Sequence, residues 1–136
     1  MKKVIANTSV VLATLLTIVF MAPTAAQADD GRFTMYTDDA NPGGRVVFHA
    51  DGDYVQVCDI EADGSSVWLR ITDLDGSGGY SMNVAGNDEC KVHRASDGGS
   101  YDLEEYSCFE FNIYLSRETA FGDLARWFNS STGGNC

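Results

Sequence analysis

The stretch "RVVFHADGDYVQVCDIEADGSSVWLRI", Arg45 to Ile71, carries the signals that decide the fold. Val46, Phe48 and Ala50 alternate with Arg45, Val47 and His49, and after Asp51-Gly52-Asp53 the residues Val55 and Val57 alternate with Tyr54, Gln56 and Cys58. A period of two sends one set of side chains to a buried face and the other to water, the pattern of a half-buried strand. Asp and Gly tolerate the positive φ of tight turns, so Asp51-Gly52-Asp53 reads as the reversal of a hairpin. A second Asp-Gly pair, Asp63-Gly64, precedes a third run in which Val67, Leu69 and Ile71 oppose Trp68, Arg70 and Thr72.

The same pattern continues downstream. After "DLDGSGG" (73–79), Tyr80, Met82 and Val84 mark a fourth strand, and "NDECKVHRASDGGS" has room for a short one around Lys91 to Ala95. Phe109, Phe111, Ile113 and Leu115 alternate with Cys108, Glu110, Asn112 and Tyr114, apolar enough for a central strand. In the tail, Phe121, Leu124 and Phe128 fall at i, i+3 and i+7, which suits one or two turns of helix, with a bulged strand as the alternative. Turn signals recur roughly every 8 to 12 residues, the spacing of a sandwich or barrel. The expected fold is all-β: a small disulfide-bonded antiparallel β-sandwich with room for one short C-terminal helix.

At the N-terminus, Lys2 and Lys3 precede the apolar run "VVLATLLTIVFMA" (10–22) and the small-residue motif Ala26-Gln27-Ala28. That is the layout of a secretory signal peptide, and the run is shorter than the roughly 20 apolar residues of a spanning helix. We expect 1–28 to be removed and 29–136 to form one extracellular domain. Taking 28 residues from 136 leaves 108, and taking Lys2 and Lys3 from nine basic residues leaves seven against twenty acidic ones, a formal charge of −13. Such an acidic chain lacks the cations that nucleic acid or anionic lipid would require. Neither partner is expected, and the charge is read as an aid to solubility that keeps the protein a monomer.

Cys58, Cys90, Cys108 and Cys136 all lie in the mature portion, at separations of 32, 18 and 28 residues. An even number in an exported chain indicates two disulfides, whereas a zinc site would need closely spaced pairs. Three connectivities are open. Cys58 with Cys90 and Cys108 with Cys136 is preferred, because each bridge then joins elements that neighbour one another in sequence.

Catalytic chemistry finds little support. His49 and His93 are the two histidines, no G-x-S-x-G elbow is present, and Ser96 and Asp97 beside His93 are neighbours in sequence only. Asp102, Glu104 and Glu105 could supply paired carboxylates, but in a chain with twenty acidic residues such pairs arise by chance. We expect no enzyme and no cofactor. Asp59-Ile60-Glu61-Ala62-Asp63-Gly64 imitates the opening of an EF-hand loop, yet its third position is Glu61 and its twelfth is Arg70, where a bidentate Glu is required. Asp59, Glu61 and Asp63 are therefore hairpin-turn residues first and weak calcium candidates second. Trp68 and Tyr114 are phased opposite the aliphatic residues of their strands, so both are read first as packing residues that fill the second face of a sandwich or cover a disulfide, and second as candidates for an outer binding surface that stacks on a sugar or anchors a protein partner.

The Ala50-Asp51-Gly52-Asp53 turn, the Val57-Cys58-Asp59 strand end and the second Asp-Gly before an aliphatic strand resemble small secreted, uncharacterised β-rich proteins of actinobacterial type. The resemblance implies an exported β-domain with no catalytic residues to carry over. Tyr36, Gly43, Phe48 and Ser65-Ser66-Val67 resemble, more weakly, the βγ-crystallin pattern, which implies calcium bound by backbone and Ser oxygens. Where that family's motif opens with two Asn or Asp residues, this chain has Glu61 and Ala62. The leading expectation is a secreted, non-enzymatic binding protein for an extracellular protein or glycan. The alternatives are a calcium-binding βγ-crystallin-like domain and a small inhibitor of an extracellular hydrolase that presents the Ser96 to Ser100 loop.

Overall fold

The computed structural model describes residues 31–118 and 122–136. The export segment expected at 1–28 and Phe121 of the tail motif lie outside the described residues. Eight strands follow one another: β1 Arg32–Tyr36, β2 Gly44–His49, β3 Tyr54–Asp59, β4 Ser66–Asp73, β5 Gly79–Ala85, β6 Glu89–His93, β7 Cys108–Leu115 and β8 Asp123–Phe128. They form two antiparallel four-stranded sheets, ordered β1-β2-β3-β6 and β5-β4-β7-β8. The β4–β5 hairpin belongs to the second sheet while β3 and β6, which flank it in sequence, pair in the first. Chain crossings of this kind hold the layers of a sandwich together.

The Asp51-Gly52-Asp53 turn forms as its chemistry requires. Gly52 has φ 76° and Asp53 φ 49°, and the reversal seats His49 opposite Tyr54 in the β2–β3 ladder. Val46, Phe48, Val55 and Val57 of the first sheet meet Leu69, Ile71, Phe109, Phe111 and Ile113 of the second in one continuous core. Phe48 and Phe111 touch across it with ring centroids 4.9 Å apart. Gly44 permits this closeness, because a Cβ there would stand 2.8 Å from Val67 Cγ1. The apolar strand β7 lies inside its sheet, between β4 and β8.

Two elements differ from the reading of the sequence. The described part of the tail forms strand β8, the alternative to the helical reading; among the described residues the helical turns are 3-10 turns of three residues, at Asp51–Asp53, Ala95–Asp97 and Gly99–Tyr101. Leu124, taken as an inward residue of a helix, is 53% exposed. Trp127 instead turns inward, its ring 4.5 Å from that of Phe111 and 5.2 Å from that of Phe33. A strand wins because β7 offers a full ladder of backbone groups to pair, and the alternation of Ala125 and Trp127 with Leu124 and Arg126 places the largest ring in the core. The other difference is β1, which pairs with β2 and packs Phe33 and Met35 against the core.

Cys58 is bonded to Cys90 and Cys108 to Cys136, the pairings preferred from sequence. The first bridge joins directly opposed residues of β3 and β6, and the second ties the C-terminal segment to the start of β7. In the chain-entropy view, closing loops of these lengths stabilises the fold by roughly 3–4 kcal/mol each. Two such bonds belong to an oxidising compartment. Among the described residues no helix is long and apolar enough to cross a membrane.

Candidate functional site

The calcium candidates are already engaged with protein groups. Asp59 is buried, and its two oxygens accept from the backbone N–H of Glu61 at 3.4 Å and of Gly86 at 2.9 Å. Asp63 accepts from Ser65 N at 2.6 Å, which closes the second Asp-Gly turn. Its other oxygen meets the Arg117 guanidinium, which also lies 3.2 Å from Asp39 and 4.0 Å from Glu61. Arg117 thus sits among three carboxylates where a cation would be expected. In the "DLDGSGG" turn, Asp73 caps the backbone N–H of Asp75 and Gly76, and Asp75 accepts from Cys108 N. Among the described residues no group of three or more His, Cys, Asp or Glu side chains is arranged to hold a metal.

His93 lies 3.2 Å from Asp97 through Nδ1, a spacing that orients the imidazole. Its ring face is covered by Tyr101 at a centroid distance of 3.8 Å, and the Tyr80 ring meets it edge-on at 6.0 Å. Among the described residues neither histidine shares a hydrogen bond with a Ser hydroxyl, so the sequence neighbours His93, Ser96 and Asp97 do not assemble a triad. The 95–101 segment winds through two consecutive 3-10 turns, with Gly98 at φ 76° between them. It therefore lacks the extended backbone that a protease cleft reads by strand addition. Of the carboxylates considered for hydrolysis, Glu105 has its pKa raised by partial desolvation and by nearby Asp53, Asp102 and Asp51.

Asp53 was legible as a turn residue but has a further role. It is 1% exposed, and its carboxylate accepts from Leu103 N at 2.8 Å and from Asn129 Nδ2 at 2.9 Å. Desolvation raises its pKa, while those two hydrogen bonds oppose the shift. Asn129 is fully buried and also reaches the carbonyls of Leu103 and Glu104. These contacts latch the hairpin turn, the loop before β7 and the C-terminal tail to one another. These shared bonds mark a structural device rather than a reactive centre, with Asn129 Oδ1 enclosed beside them without a hydrogen-bond partner.

The outward face of the second sheet is where the two predicted binding residues meet. Ladder pairing puts Trp68 of β4 directly opposite Tyr114 of β7, with Asn83 of β5 on the other side of Trp68. The next row outward holds Ser81, Arg70, Asn112 and Leu124, and the next holds Thr72, Glu110 and Arg126. The Trp68 and Tyr114 rings lie 13° from parallel with centroids 6.4 Å apart. Trp68 is 37% exposed, and Leu124 continues the apolar surface one strand further along. Glu110 accepts two bonds from Arg126, at 3.0 and 3.1 Å, which fixes the polar border of this face.

The outward face of the first sheet is concave. Arg45, Val47 and His49 of β2 stand opposite Cys58, Gln56 and Tyr54 of β3, and the Asp51–Asp53 and Ala95–Asp97 turns wall one end. The hollow encloses about 810 Å³. Its residues were read from sequence as an ordinary polar strand face; the signal available was three cationic or ionisable side chains, Arg45, His49 and Arg94, bracketing the hairpin of an acidic chain. Comparison with protein-family models, with curated proteins and with solved structures gave no match.

Proposed function

We propose that this protein is an exported, non-enzymatic binding module whose ligand is a glycan chain lying across the outward face of β5, β4 and β7. The observation that carries the reading is the pair of nearly parallel, partly uncovered rings of Trp68 and Tyr114 on a solvent-facing sheet surface. The C–H-rich face of a pyranose stacks on such rings, and the neighbouring Asn83, Ser81 and Arg70 supply donors and acceptors for hydroxyl groups. A sheet face is also a rigid support, so little ordering entropy is lost on binding. Export is supported by the signal-like N-terminus and by the two disulfides. A metal-free protein is supported by Arg117, whose charge occupies the centre of the acidic cluster.

The test is retention of the purified protein on insoluble cellulose, chitin and xylan, with Trp68→Ala and Tyr114→Ala as comparisons. Removing a central aromatic anchor typically costs about 2 kcal/mol or more, near a thirtyfold loss of affinity. We expect retention on at least one polysaccharide and its loss in both variants. Retention unaffected by both substitutions, or capture of a stoichiometric protein partner through this face with no polysaccharide bound, would overturn the glycan reading.

A further inference from the structure

We propose a second site, for a small organic oxyanion, in the concave outward face of the first sheet, with Arg45 and Arg94 as the anion-binding residues and Tyr54 and Val47 as the surface that receives the organic body. It is independent of the glycan reading, because it lies on the opposite sheet and shares no residue with the Trp68 surface.

The charge distribution is the first ground. Arg32, Arg45 and Arg94 all line this hollow, with His49, and Asp51 is the one carboxylate among its lining residues. A formally −13 chain thus concentrates three of its seven basic side chains in one depression. The second ground is the state of those side chains. Among the described residues neither Arg45 nor Arg94 has a carboxylate within the 4.0 Å reached by the ion pairs of Arg117 and Arg126. Arg45 is half-buried; its Nε is enclosed and has no hydrogen-bond acceptor, and its Nη2 has only Cys58 Sγ at 3.4 Å. A sulfur in a disulfide is a poor acceptor, so most of that guanidinium's donor capacity remains unused. Leaving such a group unsatisfied is costly when twenty carboxylates are available to pair with it.

The third ground is geometric preparation. Arg94 lies over the Tyr54 ring, its Cζ 5.3 Å from the centroid, and His49 meets the same ring edge-on at 5.1 Å. The ring thereby fixes one guanidinium at the wall without using its N–H groups. Val47, although it points outward, is 8% exposed and forms an apolar floor between Thr34 and Gln56. A planar fork with free donors, a second one held over an aromatic face and an apolar floor together suit a carboxylate or phosphate carried on a small organic molecule.

Isothermal titration with four probes tests this: glucuronate for a carboxylate, glucose 6-phosphate for an organic phosphate, inorganic phosphate for the bare anion, and glucose as the uncharged control. We expect one or both organic anions to bind more tightly than inorganic phosphate and glucose not to bind. Amide shifts should fall on β2, β3 and residues 94–96. Arg94→Gln should weaken binding by about tenfold or more while leaving the melting temperature unchanged within about 2 °C, since this side chain is exposed. Arg45→Lys, which keeps the charge and loses the fork, should weaken it as well. Binding of glucose equal to that of its charged analogues, no binding by either organic anion, or affinity unchanged in both variants would overturn the proposal. Trp68→Ala must leave this binding intact, so failure here and failure of the glycan reading are separable.

Discussion

Replacing Asn129 by Ala should expose the strength of the buried latch and its dependence on pH. The Asn129 amide donates to Asp53 Oδ1 at 2.9 Å and approaches Glu104 O at 3.2 Å and Leu103 O at 3.3 Å, while Asp53 keeps the 2.8 Å bond from Leu103 N. Two N–H groups allow two full bonds, one of them charge-assisted. A bond to a charged group contributes about 1.5–3 kcal/mol and a neutral one about 1 kcal/mol, so the loss near neutral pH should be about 3 kcal/mol. With a urea slope near 1.5 kcal/mol/M, the unfolding midpoint should fall by about 2 M. The pH dependence is the stricter criterion. Burial raises the pKa of Asp53 in the folded protein, so the folded state takes up this proton first. The group's contribution to stability therefore grows as pH falls from neutral and is lost as pH rises through the folded pKa. The Asn129 bond opposes that shift, and without it the pKa rises further. The penalty of the substitution should thus be larger at pH 7 than at pH 5, because protonation of Asp53, favoured as pH falls, removes the charge that the donor serves. Urea unfolding at both values measures it. A penalty below about 1 kcal/mol, or one equal at the two pH values, would refute the reasoning.

In the unsubstituted protein, Asp53, Glu105 and Asp123 all have carboxyl pKa values raised first by desolvation, so stability should increase between pH 7 and pH 5; a decrease in thermal melts would contradict this. Gly79→Ala should cost about 2 kcal/mol or more by chemical denaturation, because φ is 115° and a Cβ would lie 2.2 Å from Ile71 O; a neutral result would show that this turn relaxes. Calcium should not raise the melting temperature more than magnesium does, since the Arg117 guanidinium already lies among Asp39, Glu61 and Asp63 where the cation would sit. Arg117→Gln should cost about 1 kcal/mol and make the melt calcium-sensitive, and a calcium-specific shift in the unsubstituted protein would restore the metal reading.

Strands with strict alternation were legible because both faces of a sandwich constrain them. Val46 and Phe48, Val67 and Leu69, and Phe109 to Leu115 each place their apolar set at zero or near-zero exposure. β8 was misread because Phe121, Leu124 and Phe128 happen to fit a helical spacing, whereas the deciding side chain is Trp127, whose partners Phe33, Phe48 and Phe111 come from three other strands. No local pattern can announce such contacts. Trp68 and Tyr114 were legible as outward residues from their phase alone, but their direct opposition depends on the β4–β7 register. That register in turn is set by core packing between partner residues that lie 36 to 48 positions apart. The Asp53 latch and the Arg45 hollow were hidden for the same reason: Asn129 and Arg94 lie far along the chain from the groups they join or face.

The most direct test of a glycan-binding face is amide and indole chemical-shift mapping of the mature protein titrated with soluble cello- and chito-oligosaccharides. The expected result is a saturable shift of the Trp68 indole N–H together with amides of Asn83, Arg70, Asn112 and Tyr114, with the β2–β3 face unmoved. Saturable shifts confined to the β2–β3 face, or none with any oligosaccharide in a protein whose two disulfides are intact, would contradict it.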